Sequence, residues 1–181
     1  SLSKASKKLL SEIDDFIYIE VYLEGDFPSG IERLSLETKQ ILSEFKTYND
    51  FIQFTFINPT ESKDDKTRNE ILKQLYEKGL NPTNLQIKNG DSYTEKIIIP
   101  GAIVKFGSNE IAVQLLKNQI ASSPDQNLEQ SIRELEYEFA NAIKQLRSSL
   151  KPNIAFLKGH GELDGLDIKD FRNTLTQQYS V

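Results

Sequence analysis

The spacing of apolar positions changes along the chain, and each change marks an element. In residues 3–13, Leu9, Leu10 and Ile13 fall on one side of a short helix, which predicts a lead-in segment over residues 1–15. Residues 16–23 (F-I-Y-I-E-V-Y-L) place Ile17, Ile19, Val21 and Leu23 on one face and Phe16, Tyr18, Glu20 and Tyr22 on the other. Glu20 is the only charge there, which predicts a central strand covered on both faces. A loop over 24–30 (E-G-D-F-P-S-G) leads into a helix over 31–48, with Ile31, Leu34, Ile41, Leu42, Phe45 and Tyr48 at three- and four-residue spacing. Alternation returns over 51–57, where Ile52, Phe54 and Phe56 alternate with Gln53 and Thr55. After a charged loop over 61–66, a helix follows over 67–78 with Ile71, Leu72, Leu75 and Tyr76 inward. Gly79 stands where a C′ glycine belongs.

The pattern then turns to hairpins. Residues 85–88 and 92–99 flank Asn89-Gly90, a strong two-residue turn signal. Pro100-Gly101 breaks the chain, and residues 102–106 and 110–116 flank Gly107-Ser108-Asn109. The order β-α-β-α followed by antiparallel strands implies a parallel pair joined by a right-handed crossover. The fold class expected is therefore α/β, with a thioredoxin-like β-α-β-α-β-β unit over residues 16–120. The likeness is one of topology. The 24–30 loop holds no C-x-x-C, and the chain has no thiol at all, which excludes that redox chemistry. The analogy also makes the Ile99–Pro100 bond a test, since that fold often carries a cis-proline before its third core strand and a trans bond would weaken the likeness.

The longest periodic segment follows. Ser123-Pro124-Asp125-Gln126 has the form of a capping box. Leu128, Ile132, Leu135, Phe139, Ala142, Leu146 and Leu150 then recur at four and three, predicting a single helix of about 25 residues, or ~37 Å, over 121–150. Such a stripe serves as a seam with a partner, packs on its own sheet, or joins two domains. Lys151-Pro152-Asn153 marks a candidate domain boundary. Residues 154–158 read as a strand and 167–179 as a helix with Ile168, Phe171 and Leu175 inward. Residues 151–181 are thus expected to begin a second, truncated α/β unit.

Composition narrows the function classes. An apolar share of 38% and a charged share of 27% fit a soluble globular protein. A net charge of −5 argues against a nucleic-acid binder, whose surface is usually basic. Lys4, Lys7 and Lys8 form the only basic cluster. Without cysteine there is no disulfide, thiolate metal site or thiol nucleophile. Methionine is missing even at position 1, which points to an excised or processed piece of a longer chain. No apolar run approaches the roughly 18 residues of a membrane span.

Candidate chemistry centres on the loop Gly159-His160-Gly161-Glu162, which carries the only histidine. The glycines permit positive φ and close approach by another backbone. His160 and Glu162 could serve as an acid/base pair or supply two metal ligands. They could equally contact a ligand or partner, or form a structural loop with the imidazole satisfied by backbone. A zinc site needs a third ligand and no second histidine exists. No G-x-S-x-G element supplies a nucleophile. Asp164, Asp167 and Asp170 do not have EF-hand spacing. The 25–30 loop precedes a helix, where anions can bind, but Glu24 and Asp26 oppose that use. No cofactor is expected.

The lead-in S-K-A-S-K-K-L-L-S-E-I-D-D, the strand I-Y-I-E-V-Y-L, the F-I-N-P after the second strand and F-L-K-G-H-G-E near the end together resemble GldG. Members of that family are gliding-motility auxiliary components of ABC transporters in Bacteroidetes-type bacteria. The wider group is the auxiliary ABC-transporter domain, related to the GIFT domain of intraflagellar transport proteins. The resemblance runs in order through essentially the whole chain, with Gly159, His160, Gly161 and Glu162 its most specific part. It implies a membrane-anchored parent whose spans lie outside this segment, a periplasmic location at the inner membrane, and permease and ATPase subunits as partners. It supplies no catalytic residues. The function expected is a non-enzymatic extracytoplasmic domain acting in gliding motility or export through protein or ligand binding, with Gly159, His160, Gly161 and Glu162 as the candidate binding residues and a homo-oligomer as one form it could take. The alternative is a hydrolase or carbohydrate-active domain using His160 and Glu162.

Overall fold

The computed structural model describes residues 1–149 and a strand at Gln178–Ser180. In chain order the described elements are α1 (Lys4–Ser11), β1 (Ile17–Val21), α2 (Ser29–Tyr48), β2 (Ile52–Phe56), α3 (Asp65–Glu77), β3 (Thr83–Asn89), β4 (Ser92–Ile98), β5 (Gly101–Phe106), β6 (Asn109–Gln114), α4 (Pro124–Arg133), α5 (Leu135–Ser148) and β7 (Gln178–Ser180). The chain is an α/β protein. Its four-stranded sheet has the order β2-β1-β5-β6, with β1 parallel to β2 and antiparallel to β5, and β5 antiparallel to β6. This is the thioredoxin-like arrangement, with the β3–β4 hairpin inserted ahead of the third core strand.

The register sorts every strand residue onto one of two faces. One face carries Ile17, Ile19 and Val21 of β1, with Ile52, Phe54 and Phe56 beside them on β2 and Ala102 and Val104 on β5. It is covered by α1, α2, α4 and α5, whose buried residues include Leu10, Leu34, Leu42, Phe45, Phe139 and Leu146. The opposite face carries Tyr18 and Glu20 of β1 and Tyr22 just after it, and among the described residues only α3 packs on it. There Leu72, Leu75 and Leu80 meet Tyr22, Ile99 and Ile103.

Three expectations change. First, the helix expected over 121–150 is two helices, α4 and α5, that meet at Glu134 (φ −93°, ψ −2°). The capping box forms as expected, but Ser131 sits buried inside the stripe. Its Oγ donates back to Asn127 O at 2.7 Å and accepts the Lys117 N–H at 2.9 Å. Back-bonding of this kind bends helices. The Lys117 ammonium spans the break from outside, pairing with Glu134 and, at 2.6 Å, with Glu138. Of the three roles open to the stripe, packing on its own sheet is the one observed, because Leu135, Phe139, Ala142 and Leu146 are all in the core. The lead-in segment joins the same core through Leu2, Leu10 and Ile13.

Second, the Ile99–Pro100 test goes against the likeness, since no cis bond occurs among the described residues, and the likeness rests on the strand order. The corner is held by backbone bonds instead. Gly101 N–H donates to Ile99 O at 2.8 Å, and Pro100 O accepts from Leu115 and Leu116. A side chain at Gly101 would put its Cβ 2.4 Å from Leu80 Cδ2 and 3.0 Å from Val113 O, which is why glycine stands there.

Third, the helix expected over 167–179 gives way at its end to strand, because β7 pairs parallel with β3 through Asn84 with Gln178 and Leu85 with Tyr179. The strand expected at 154–158, the loop at 159–162 and the rest of that helix lie outside the described residues. Among the described residues no helix is long and apolar enough to cross a membrane.

Candidate functional site

Gly159, His160, Gly161 and Glu162 lie outside the described residues, so the site is built from the rest of the chain. Three places follow from the fold. They are the 24–30 corner, the seam between α1 and α5, and the half of the sheet that α3 leaves open.

The 24–30 corner is where this topology puts a reactive loop, and here it is packed. Gly25 takes a positive φ of 138° and lies against the Asn58 side chain. Phe27 packs onto the main core. Lys96, from the inserted hairpin, donates to Asp26 O and stands 5.2 Å from the Phe27 ring centroid. Pro28 caps α2 without a side-chain hydrogen bond, and Glu32 occupies its first turn. The corner thus holds an aromatic plug, and its one cation, Lys96, is already engaged by the Asp26 carbonyl and the Phe27 ring.

The seam between α1 and α5 is a groove of about 930 Å³. Ser3 N–H donates to Glu136 at 2.8 Å at one end, and Arg147 pairs with Glu12 at 3.2 Å at the other. Burial alone would raise the Glu136 carboxyl, yet its bonds from Ser6 and Ser3 hold it below the usual range. Lys8 and Lys144 line the same groove. Its charges are of both signs, and Glu12, Glu136 and Arg147 are used to fasten α1, which leaves Lys8, Arg133 and Lys144 along the groove.

The open half of the sheet is different. α3 covers the carboxyl end of β1 at Tyr22, while Tyr18 at the amino end is 52% exposed and Phe16, just before β1, is 45% exposed. The Phe16 ring stacks on Tyr18 with centroids 5.9 Å apart and meets Phe51 edge-on at 5.1 Å. These rings are held by one another, as rings at binding surfaces often are. Beside them the strands carry a ladder of alternating charge. Lys105 pairs with Glu20 at 2.8 Å and lies opposite Glu110 in the register, and Glu110 pairs with Lys78 at 3.2 Å. Tyr22 Oη donates to Glu20 at 3.1 Å.

The ladder settles the protonation states. Burial would raise the Glu20 carboxyl, but the Lys105 ammonium, the Tyr22 hydroxyl and Lys78 outweigh it and hold the group below its ordinary value. Burial, followed by the Glu20 carboxylate, pushes the Tyr22 phenol well above its ordinary value. Neither group is poised to exchange a proton near neutrality, which general acid–base work requires. The charges neutralise one another and leave the aromatic rings as the feature a partner can grip.

Sequence reasoning places Phe16 and Tyr18 correctly on the second face of the first strand but expects that face to be covered. The signal was present, because that face carries the strand's only charge and its two tyrosines, whereas the other is wholly aliphatic. Tyr48, expected inward, is also 47% exposed.

No curated protein and no solved structure matches the chain. Residues 1–105, which hold α1, the parallel β1–β2 pair, α3, the inserted hairpin and most of β5, match the family described as Domain of unknown function (DUF7088), and the chain belongs to that family.

Proposed function

We propose that this chain is a non-enzymatic binding domain of an ABC-transporter auxiliary protein, acting in gliding motility or export at the periplasmic face of the inner membrane. Its partners on this reading are the permease and ATPase subunits of the transporter. The transporter assignment rests on the resemblance to GldG-like components. The observation that carries the binding role is the open half of the sheet, where Phe16 and Tyr18 stand exposed beside a charge ladder that neutralises itself. Aromatic side chains held rigid at a surface bind partners at low entropic cost and supply most interface hot spots.

The test is capture of membrane proteins from the source organism with the full-length protein, wild type against the double variant Phe16→Ser/Tyr18→Ser. Recovery of permease and ATPase by the wild type, lost in a variant whose thermal unfolding is unchanged, is the expected result. Failure of the wild type to recover either subunit overturns the transporter assignment. Equal recovery by both proteins overturns the role of the open face.

A further inference from the structure

The outer edge of β2 is an unusual edge. It ends the four-stranded sheet, and among the described residues no strand pairs with it. From Phe51 to Ile57 the sequence F-I-Q-F-T-F-I contains no charge, glycine or proline. The register with β1 runs without a bulge from Ile17 with Ile52 to Val21 with Phe56. Charge, proline and bulges are the usual devices that keep an edge from pairing, and the strand itself uses none of them.

Backbone accounting shows what the edge offers. Ile17 N–H donates to Phe51 O at 2.9 Å, and Ile57 N–H donates to Val21 O at 2.8 Å. In a parallel ladder the groups alternate, so Gln53 and Thr55 also point toward β1 while Ile52, Phe54 and Phe56 point outward. Ile52 N–H is taken by Asn49 O at 3.1 Å. Phe54 and Phe56 therefore present an N–H and a C=O each on the outer side.

The charges beside this edge are Lys39 and Lys46 of α2 and, at its amino end, the exposed Asp50. Lys39 stands over the Phe56 ring, 5.2 Å from its centroid, and Lys46 reaches the Gln53 side chain at 3.5 Å. Both are exposed, and they are seven residues apart on one side of the helix. Two cations thus flank an uncharged strand along its length. A second copy of the chain pairing here would bring its own Lys39 and Lys46 against these two, and like charges across an interface oppose it.

We infer that β2 is a strand-acceptor edge, where an extended acidic segment of a partner protein adds to the sheet, its backbone on Phe54 and Phe56 and its carboxylates on Lys39 and Lys46. Strand addition draws affinity from main-chain bonds and specificity from alternate side chains. An added strand continues the sheet directly beside the open face, so its other side chains lie on the side of Tyr18 and Gln53. The inference names a surface for the binding role proposed above and rests on it.

Amide hydrogen exchange tests it with two blocked nine-residue peptides, one alternating Val with Glu and one alternating Val with Lys. The Val/Glu peptide is expected to slow exchange at Phe54 and Phe56 by about tenfold at saturation, and the Val/Lys peptide to leave it unchanged. The double variant Lys39→Glu/Lys46→Glu is expected to reverse that preference. No protection by either peptide, or protection that ignores the charge reversal, overturns the inference. Protection of the same amides that grows with protein concentration alone also overturns it, by giving the edge to a second copy. A negative peptide result leaves capture through Phe16 and Tyr18 intact, so the two failures are distinct.

Discussion

At the scale of single residues, the informative groups are those whose ionisation the sheet controls. Glu20 has its carboxyl held below the ordinary value of 4.5 by Lys105 and its neighbours, against the opposing effect of burial. A carboxyl depressed in the folded state contributes stability above its unfolded value and loses it as pH falls through the folded one. Glu20 is partly open to water, so screening keeps the contribution at the level of a surface pair, about 0.2–1 kcal/mol. Lys105→Met is therefore expected to lower stability by that amount at pH 7. The gap from wild type should narrow as pH falls below about 4.5, where the unfolded chain protonates first, and close once folded Glu20 also takes up its proton. Urea titrations at several pH values measure it, and a gap that stays constant down to pH ~3 would show that Lys105 acts through its stem rather than its charge. This pairing was not legible in the sequence. Glu20 and Lys105 are far apart along the chain, and only the β1–β5 register brings them together.

At the scale of elements, most of the fold could be read and most of the errors share one cause. Every described helix and strand of residues 1–120 matches an expected element within a few residues, because local spacing reflects which face is apolar. What failed was any inference about what lies opposite an element. The first strand looked buried on both sides because aromatic residues count as apolar, yet α3 reaches only its carboxyl end. The 121–150 helix reads as continuous because its apolar spacing runs past Asn127 and Ser131 without a break. In fact both are buried and hold the chain that follows β6. Asn127 Oδ1 accepts Gln119 N–H at 3.3 Å, and Ser131 Oγ accepts Lys117 N–H at 2.9 Å. Ser131→Ala leaves the Lys117 N–H without its acceptor inside the protein, a loss of about 1–3 kcal/mol. The capping variant Ser123→Ala, at an exposed N-cap, is expected to cost only about 1 kcal/mol. Chemical denaturation of both variants gives the order. Ser123→Ala costing as much as Ser131→Ala would mean that the buried bond contributes no more than an exposed cap. The loop Gly159–Glu162 shows the other limit of local reading, since its chemistry depends on what the fold brings to it.

At the scale of the whole molecule, the question is whether the segment before β1 belongs to the folding unit. It looked like a lead-in because eight helical residues bury little by themselves. The structure ties it down at several points. Leu10 is fully buried, and Leu2 and Ile13 join it in the main cluster with Phe45 and Phe139. Asn49, at the end of α2, donates from Nδ2 to Leu10 O at 2.7 Å and Ile13 O at 3.0 Å. Arg147 and Glu136 fasten the same segment from α5. A residue so enclosed leaves a cavity when truncated, because the helices α1 packs on, α2 and α5, cannot both close in. Leu10→Ala is expected to cost about 2–5 kcal/mol. At about 2–4 °C per kcal/mol for a chain of this size, that is a clear fall in Tm. The control is Leu36→Ala, at a leucine of α2 that is 60% exposed, which is expected to leave Tm within a degree or so. A single cooperative transition that moves down for Leu10→Ala alone would show α1 folding with the sheet. An unchanged Tm, or an early separate transition, would return α1 to the status of a linker. It would also mean that the groove between α1 and α5 opens without disturbing the sheet, which would make that seam accessible to a partner.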